Sequence, residues 1–146
     1  MILSQNLPGS KPGFQMREVC KLSNSVAARN RRNKRKGSEW ESDLRDGLRT
    51  EGFDVESLRL AGKEDEGDLV IREGDGKYLV IEAKNAKFEP GVFLGEAIVE
   101  RENFAKHRGL DLEDVESIVV VKRRGKNWRK AFVLTTVEDY LGLDPQ

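Results

Sequence analysis

The feature that most constrains this chain is a hairpin made of two short apolar runs. The segments DLVIR (68–72) and KYLVIEAK (77–84) are joined by EGDG (73–76), a turn signal between two strand-like stretches. The second run, with Leu79, Val80, Ile81 and Ala83, reads as a buried strand, yet it closes on an acid and a lysine. Strand side chains alternate between faces, so Glu82 and Lys84 project from the same side. Asp68 opens the partner strand across the hairpin.

The flanking sequence switches between helical and strand periods. Trp40, Leu44 and Leu48 recur every fourth residue, which predicts a helix from Ser38 to Glu51 with Gly52 as its stop signal. Phe53, Val55, Leu58 and Leu60 predict a strand. Phe93, Leu94, Ala97, Ile98, Arg101, Phe104 and Ala105 mark a second amphipathic helix that ends near Gly109. Strands are expected at Val115 to Lys122 and at Trp128 to Thr135. Thr136 is placed to cap a terminal helix with Val137, Tyr140 and Leu141 on its apolar face. The order is helix, three strands, helix, two strands, helix, an α/β arrangement with no internal repeat.

Charge gives the chain its polarity. Lys plus Arg and Asp plus Glu each number 26 in 146 residues, so the formal charge is zero. Residues 1–36 nevertheless hold nine basic side chains against Glu18 alone, a local charge of +8, and the remainder carries −8. The stretch RNRRNKRK (29–36) has six basic residues and no acid. Residues 1–36 are read as a flexible basic arm and 37–146 as the body, an asymmetry characteristic of chains that meet nucleic acid. The longest unbroken apolar runs, such as Ile118 to Val121, are too short to span a membrane. No apolar segment of a secretory signal follows Met1, and Pro8 and Pro12 interrupt an amphipathic leader. With one cysteine, Cys20, and one histidine, His107, neither an internal disulfide nor a Cys/His zinc site is expected, and a cytoplasmic setting is the default.

If a metal is bound, carboxylates must hold it. Asp68 and Glu82 converging at one sheet end suit a hard cation with oxygen ligands, Mg²⁺ above all. A lysine beside it can orient the attacking water and stabilise charge developing on phosphate. The plainer reading of Glu82 and Lys84 is an ion pair at a strand end. Glu41 is open to two roles. The string SEWE (38–41) is a capping box in which Glu41 satisfies the helix N-terminus. It also borders the apolar stripe near Leu48, where a carboxylate can face the sheet and the metal.

Three motifs in order, RKGSEWE (35–41), GDLVI (67–71) and YLVIEAKN (78–85), resemble the Holliday-junction-resolvase branch of the PD-(D/E)xK nuclease superfamily, in its archaeal-type and phage-encoded forms. The similarity covers most of residues 35–143. It implies a restriction-endonuclease-like three-layer α/β core, a mixed sheet flanked by helices. It assigns Glu41 to the first-helix glutamate, Asp68 to the motif aspartate, and Glu82 and Lys84 to the E-x-K pair. Asp68, Glu82 and the Ala83 carbonyl would coordinate Mg²⁺, for which Mn²⁺ substitutes, with Glu41 helping to hold a metal or its water. Lys84 would position the water that hydrolyses a phosphodiester to a 5′-phosphate and a 3′-hydroxyl. The resemblance further implies a homodimer that nicks opposed strands of a four-way DNA junction in recombination and repair, in the cytoplasm and without an organic cofactor. The chain departs from the pattern at Gly67, where the motif has proline, and its loop LAGKEDEG (60–67) lacks the hydroxyl residue of some archaeal members.

Phosphate contacts are expected from Arg31, Arg32, Lys34, Arg35 and Lys36, from Lys63, and from Arg123, Arg124 and Lys126 around Gly125. Trp128 is read as sheet packing, with stacking on an unpaired base as the other role. Glu64, Asp65 and Glu66 are expected in a solvated loop, Glu96 and Glu100 on a helix surface, and His107 at a helix C-terminus where it favours the dipole. Two rival functions stay open: another nuclease of the same superfamily (flap, single-strand or restriction-like), and a DNA-binding module that keeps the fold without cleavage.

Overall fold

A computed structural model describes residues 12–59 and 64–146, with side chains from residue 25 onward. The chain divides into two units, Met1–Arg35 and Lys36–Gln146. Helix α1 spans Pro12–Thr50. Strands β1 (Asp54–Ser57), β2 (Leu69–Gly74) and β3 (Lys77–Lys84) follow, then helix α2 (Pro90–Arg108), strands β4 (Val115–Val121) and β5 (Phe132–Leu134), and helix α3 (Val137–Leu141). The expected order of elements is the order observed, with added 3₁₀ turns at Leu112–Asp114 and Trp128–Lys130.

In the first unit the described side chains, Ser25 to Arg35, are exposed. Helix here, rather than a helix beginning at Ser38, corrects the capping-box expectation: Ser38 lies inside α1 and caps nothing. Residues 25–36 contain no proline or glycine and are rich in Ala, Arg and Lys, strong helix formers. Gly37 interrupts that run at a cost of about 1 kcal/mol, which a helix tolerates.

The second unit is built on a five-stranded mixed sheet in sequence order, β1-β2-β3-β4-β5. All neighbours are antiparallel except β3 and β4, which run parallel with Glu82 opposite Val119 and Lys84 opposite Val121. A parallel pair needs a crossover, and α2 supplies it. The EGDG turn places Gly74, Asp75 and Gly76 at positive φ, and Leu69 faces Ile81 across the hairpin. Alternation along the strands then sorts the core into two layers. On one face Leu69, Ile71, Ile81 and Val120 meet Trp40 and Leu44 of α1. On the other, Val70, Val80 and Val115 meet Phe104 and Ala105 of α2, and Val119 and Val121 meet Phe93 and Ala97. This is the expected α/β class, a mixed sheet between helices.

Three local expectations are corrected. Trp128 to Lys130 form a 3₁₀ turn rather than the start of a strand, because Asn127 accepts from the Arg129 N–H and turns the chain. Thr136 caps α3 through the Asp139 N–H, as expected, but Val137, Tyr140 and Leu141 are exposed because α3 has too few residues to reach the core. Ile98 is exposed as well, since the buried stripe of α2 runs through Phe93, Ala97, Glu100 and Phe104. Among the described residues no helix is long and apolar enough to cross a membrane.

Candidate functional site

The hairpin and α2 bring the chemistry-bearing residues to one end of the sheet. Asp68 stands immediately before β2, where its N–H donates to the Ile81 carbonyl at 3.1 Å. Its own Oδ2 accepts from the Ala83 N–H at 2.8 Å, which fixes the carboxylate against β3. Glu82 is 8% exposed and Lys84 shares its face, with Nζ 2.8 Å from Glu82 Oε1. The same ammonium reaches Glu96 of α2. Asp68, Glu82 and Lys84 are thus brought together, and Glu41 lies near enough for its charge and that of Glu82 to interact.

Gly67 has a structural reason. Its φ is +97°, a value that the proline ring, locked near −65°, cannot adopt. A Cβ there would lie 2.8 Å from Val80 Cγ1 and 3.5 Å from Glu100 Oε2. The departure from the motif is therefore a different backbone path into Asp68.

The electrostatics are those of crowded acids. Burial above all, then the neighbouring Glu82 carboxylate, push Asp68 up to about 7, against the lowering pull of the Ala83 N–H. Burial raises Glu41 too, with Glu82 adding to it and Arg45 opposing. Burial alone would lower Lys84, but its hydrogen bonds to Glu82 and Glu96 outweigh that and hold it firmly as an ammonium. Lys84 is a fixed positive charge, unsuited to accept a proton.

Glu100, expected on a helix surface, is 5% exposed and points to this site. Burial, then a hydrogen bond to Glu82 and the charge of that carboxylate, push its carboxyl up to about 10. A signal for it existed in the sequence: Glu100 is three residues after Ala97 and four before Phe104, on the buried stripe itself. Glu96 is exposed and pairs with Lys84.

The acidic loop is tied down rather than solvated throughout. Glu66 Oε1 accepts from Arg108 Nη1 at 2.9 Å and lies 2.5 Å from His107 Nδ1. Asp65 Oδ1 accepts from the Gly67 N–H at 3.0 Å, and its carbonyl accepts from Asn103 at 2.8 Å. His107 therefore acts as an anchor for this loop. Trp128 packs beside Gly47, where a Cβ would meet the indole at 2.4 Å, so its surroundings are those of core packing.

The expected phosphate-binding residues separate. Arg31, Arg32, Lys34 and Arg35 belong to the first unit and Lys36 to the second, all exposed. Lys63 lies outside the described residues. Arg124 and Lys126 are exposed at the turn after β4, while Arg123 lies over the Phe132 ring at 4.9 Å.

The donors suit a divalent cation in kind: Asp68, Glu82, Glu100 and main-chain carbonyls are hard oxygen ligands. Oε2 of Glu100 is buried with no hydrogen-bond partner among the described residues. As placed, no three Asp, Glu, His or Cys side chains among the described residues converge into a cage.

No protein family and no curated protein matches the sequence. Among solved structures, the chain is similar to that of Hjc from Archaeoglobus fulgidus, a Holliday junction resolvase from an archaeal hyperthermophile. The identity is 22%, over 73% of this chain and 92% of that one, with a TM-score of 0.41. A superposition that loose assigns no activity to this chain.

Proposed function

We propose that this chain is a metal-dependent DNA endonuclease whose site is Asp68, Glu82 and Lys84 with Glu41, and that its substrate is a four-way junction cut by a homodimer. The observation that carries this reading is the convergence of Asp68, Glu82 and Lys84 at one sheet end, two acids and an ammonium joined through the Ala83 N–H and the Glu82–Lys84 pair. The E-x-K spacing on a buried strand has this consequence whatever its ancestry.

Asp68, Glu82 and the Ala83 carbonyl would hold Mg²⁺, or Mn²⁺ in its place, with Glu41 at the border. Bound there, such an ion supplies positive charge for the phosphate and acidifies a water. The protein's own part is then definite. Lys84, kept charged by Glu82 and Glu96, orients water and stabilises the added negative charge as oxygen attacks phosphorus. One water is consumed as the P–O3′ bond breaks, leaving a 5′-phosphate and a 3′-hydroxyl. Arg31, Arg32, Lys34, Arg35, Lys36, Lys63, Arg123, Arg124 and Lys126 would bind backbone phosphates, which an acidic body requires. The exposed apolar side chains of Val133, Val137, Tyr140 and Leu143 suit a second copy of the chain better than water.

The test compares a four-way junction, a flap, single strands and linear duplex, with and without Mg²⁺. Paired nicks confined to the junction are expected. Asp68→Ala or Glu82→Ala should lower the cleavage rate on the order of 10⁴-fold while junction binding persists. Full activity in either variant would remove the proposed site, and equal cutting of all four substrates would replace the resolvase with a general nuclease.

A further inference from the structure

We propose that Glu100 is a further carboxylate ligand of the cation at this site. The inference rests on the proposed cation at Asp68 and Glu82.

Three observations meet on Glu100. It occupies a core position of α2, between Ala97 and Phe104, although the same helix has many exposed positions where an acid would be hydrated. Oε2 is the one buried side-chain oxygen or nitrogen among the described residues that lacks a hydrogen-bond partner. Native structures rarely leave such an atom without a reason, and an ion is a recognised one. The carboxyl lines an open cleft of about 590 Å³ together with Glu82, Lys84, Asp65 and Glu96, so a hydrated cation has a path from solvent.

These facts assign a direction to the site. Asp68 approaches from the start of β2, Glu82 from β3, and Glu100 from α2, so the three acids come from separate elements around one end of the sheet. The alternative role for a buried carboxyl is a neutral hydrogen-bond donor to Glu82. Glutamine can perform that role, because its amide donates and its size is the same. On a cation it is the weaker ligand, because its carbonyl oxygen carries no net charge.

The discriminating measurement is Mn²⁺ binding to the full chain without DNA, by calorimetric titration, for wild type, Glu100→Gln and Asp68→Asn. Weakening of about 10-fold or more is expected in both variants, since affinity for hard cations follows the charge of the ligand set. Wild-type affinity in Glu100→Gln with loss in Asp68→Asn would overturn the assignment of Glu100 and leave the underlying site intact. No Mn²⁺ binding by wild type, or unchanged binding in Asp68→Asn, would overturn the underlying site instead. Should Glu100→Gln fail to fold, wild-type protein carrying ¹³C at glutamate carboxyls answers the same question under Ca²⁺ titration. The Glu100 resonance must then move together with that of Glu82, and a stationary Glu100 resonance refutes the proposal.

Discussion

Both helices that cover the sheet pack apolar side chains on it, but only α2 buries an acid among them. On the α1 face, Trp40 and Leu44 pack on Val55, Leu69, Ile71, Ile81 and Val120, and the indole N–H is satisfied by the Val120 carbonyl at 3.3 Å. On the α2 face, strand alternation places Glu82, and the buried stripe of α2 places Glu100, beside the valines and phenylalanines of that side. Burying an apolar side chain stabilises by about 1.5–3 kcal/mol, whereas burying an acid costs stability unless its charge is met. Both faces therefore hold the fold, and the α2 face gives up part of that stability to two buried acids. Substitutions on the two faces should separate along that line.

The largest effect on stability belongs to the apolar face. Trp40→Ala removes a side chain that is 1% exposed and should destabilise by about 3–5 kcal/mol, read as a lowered midpoint in urea. Where the variant still folds, its Mn²⁺ affinity should be unchanged. A Trp40 variant that loses the cation while folded would break the division between the faces.

The same contrast explains what is legible in the sequence. The hairpin, the parity that puts Glu82 and Lys84 on one side, and the Thr136 cap all follow from local rules of turn and alternation. Glu100 is hidden because an acid on a charged helix is ordinarily solvent-facing, and only its registration with Phe93, Ala97 and Phe104 argues otherwise. SEWE misplaces the helix start because it satisfies the capping pattern, yet a cap forms only where the helix ends, and the preceding residues are good helix formers. The exposed face of α3 has no signal in the sequence, since amphipathic spacing says which side is apolar and not what covers it.

A smaller effect, opposite in sign, is expected at Glu100. Its folded carboxyl is raised to about 10 from an ordinary value of 4.5, and Asp68 is raised to about 7 from 3.8. A raised acid holds its proton in the fold longer than in the unfolded chain. The stability tied to that proton is complete below the ordinary value and is lost as pH rises toward the folded one. Without divalent cation, wild type should therefore lose stability from about pH 5 upward. Glu100→Gln should equal wild type near pH 4 and exceed it at pH 8 by about 1–3 kcal/mol, the cost of an unmet buried polar group. Thermal melts across pH test this, and a Glu100→Gln curve parallel to wild type would mean that the acid is not strained.

Glu66 sharpens the comparison because it is an acid on the same side with its countercharges in place. Burial alone would raise it, but its bonds to Arg108 and His107 prevail and its carboxyl is lowered from the ordinary value. The sign of its pH dependence is therefore reversed: the stabilisation is present above about 4.5 and disappears as pH falls through the lowered folded value. Glu66→Gln should cost about 0.5–1 kcal/mol at pH 7, a modest loss because Arg108 is partly exposed and solvent screens the pair. The loss should shrink in high salt and vanish in acid, where wild type is protonated too. Urea melts of the variant at pH 7 and in acid, each with and without added salt, measure it. Equal losses at both pH values would show that Glu66 holds the loop by packing. An unmet acid on the α2 face would then be strained for want of a cation, while a met one nearby contributes no more than an ordinary surface pair.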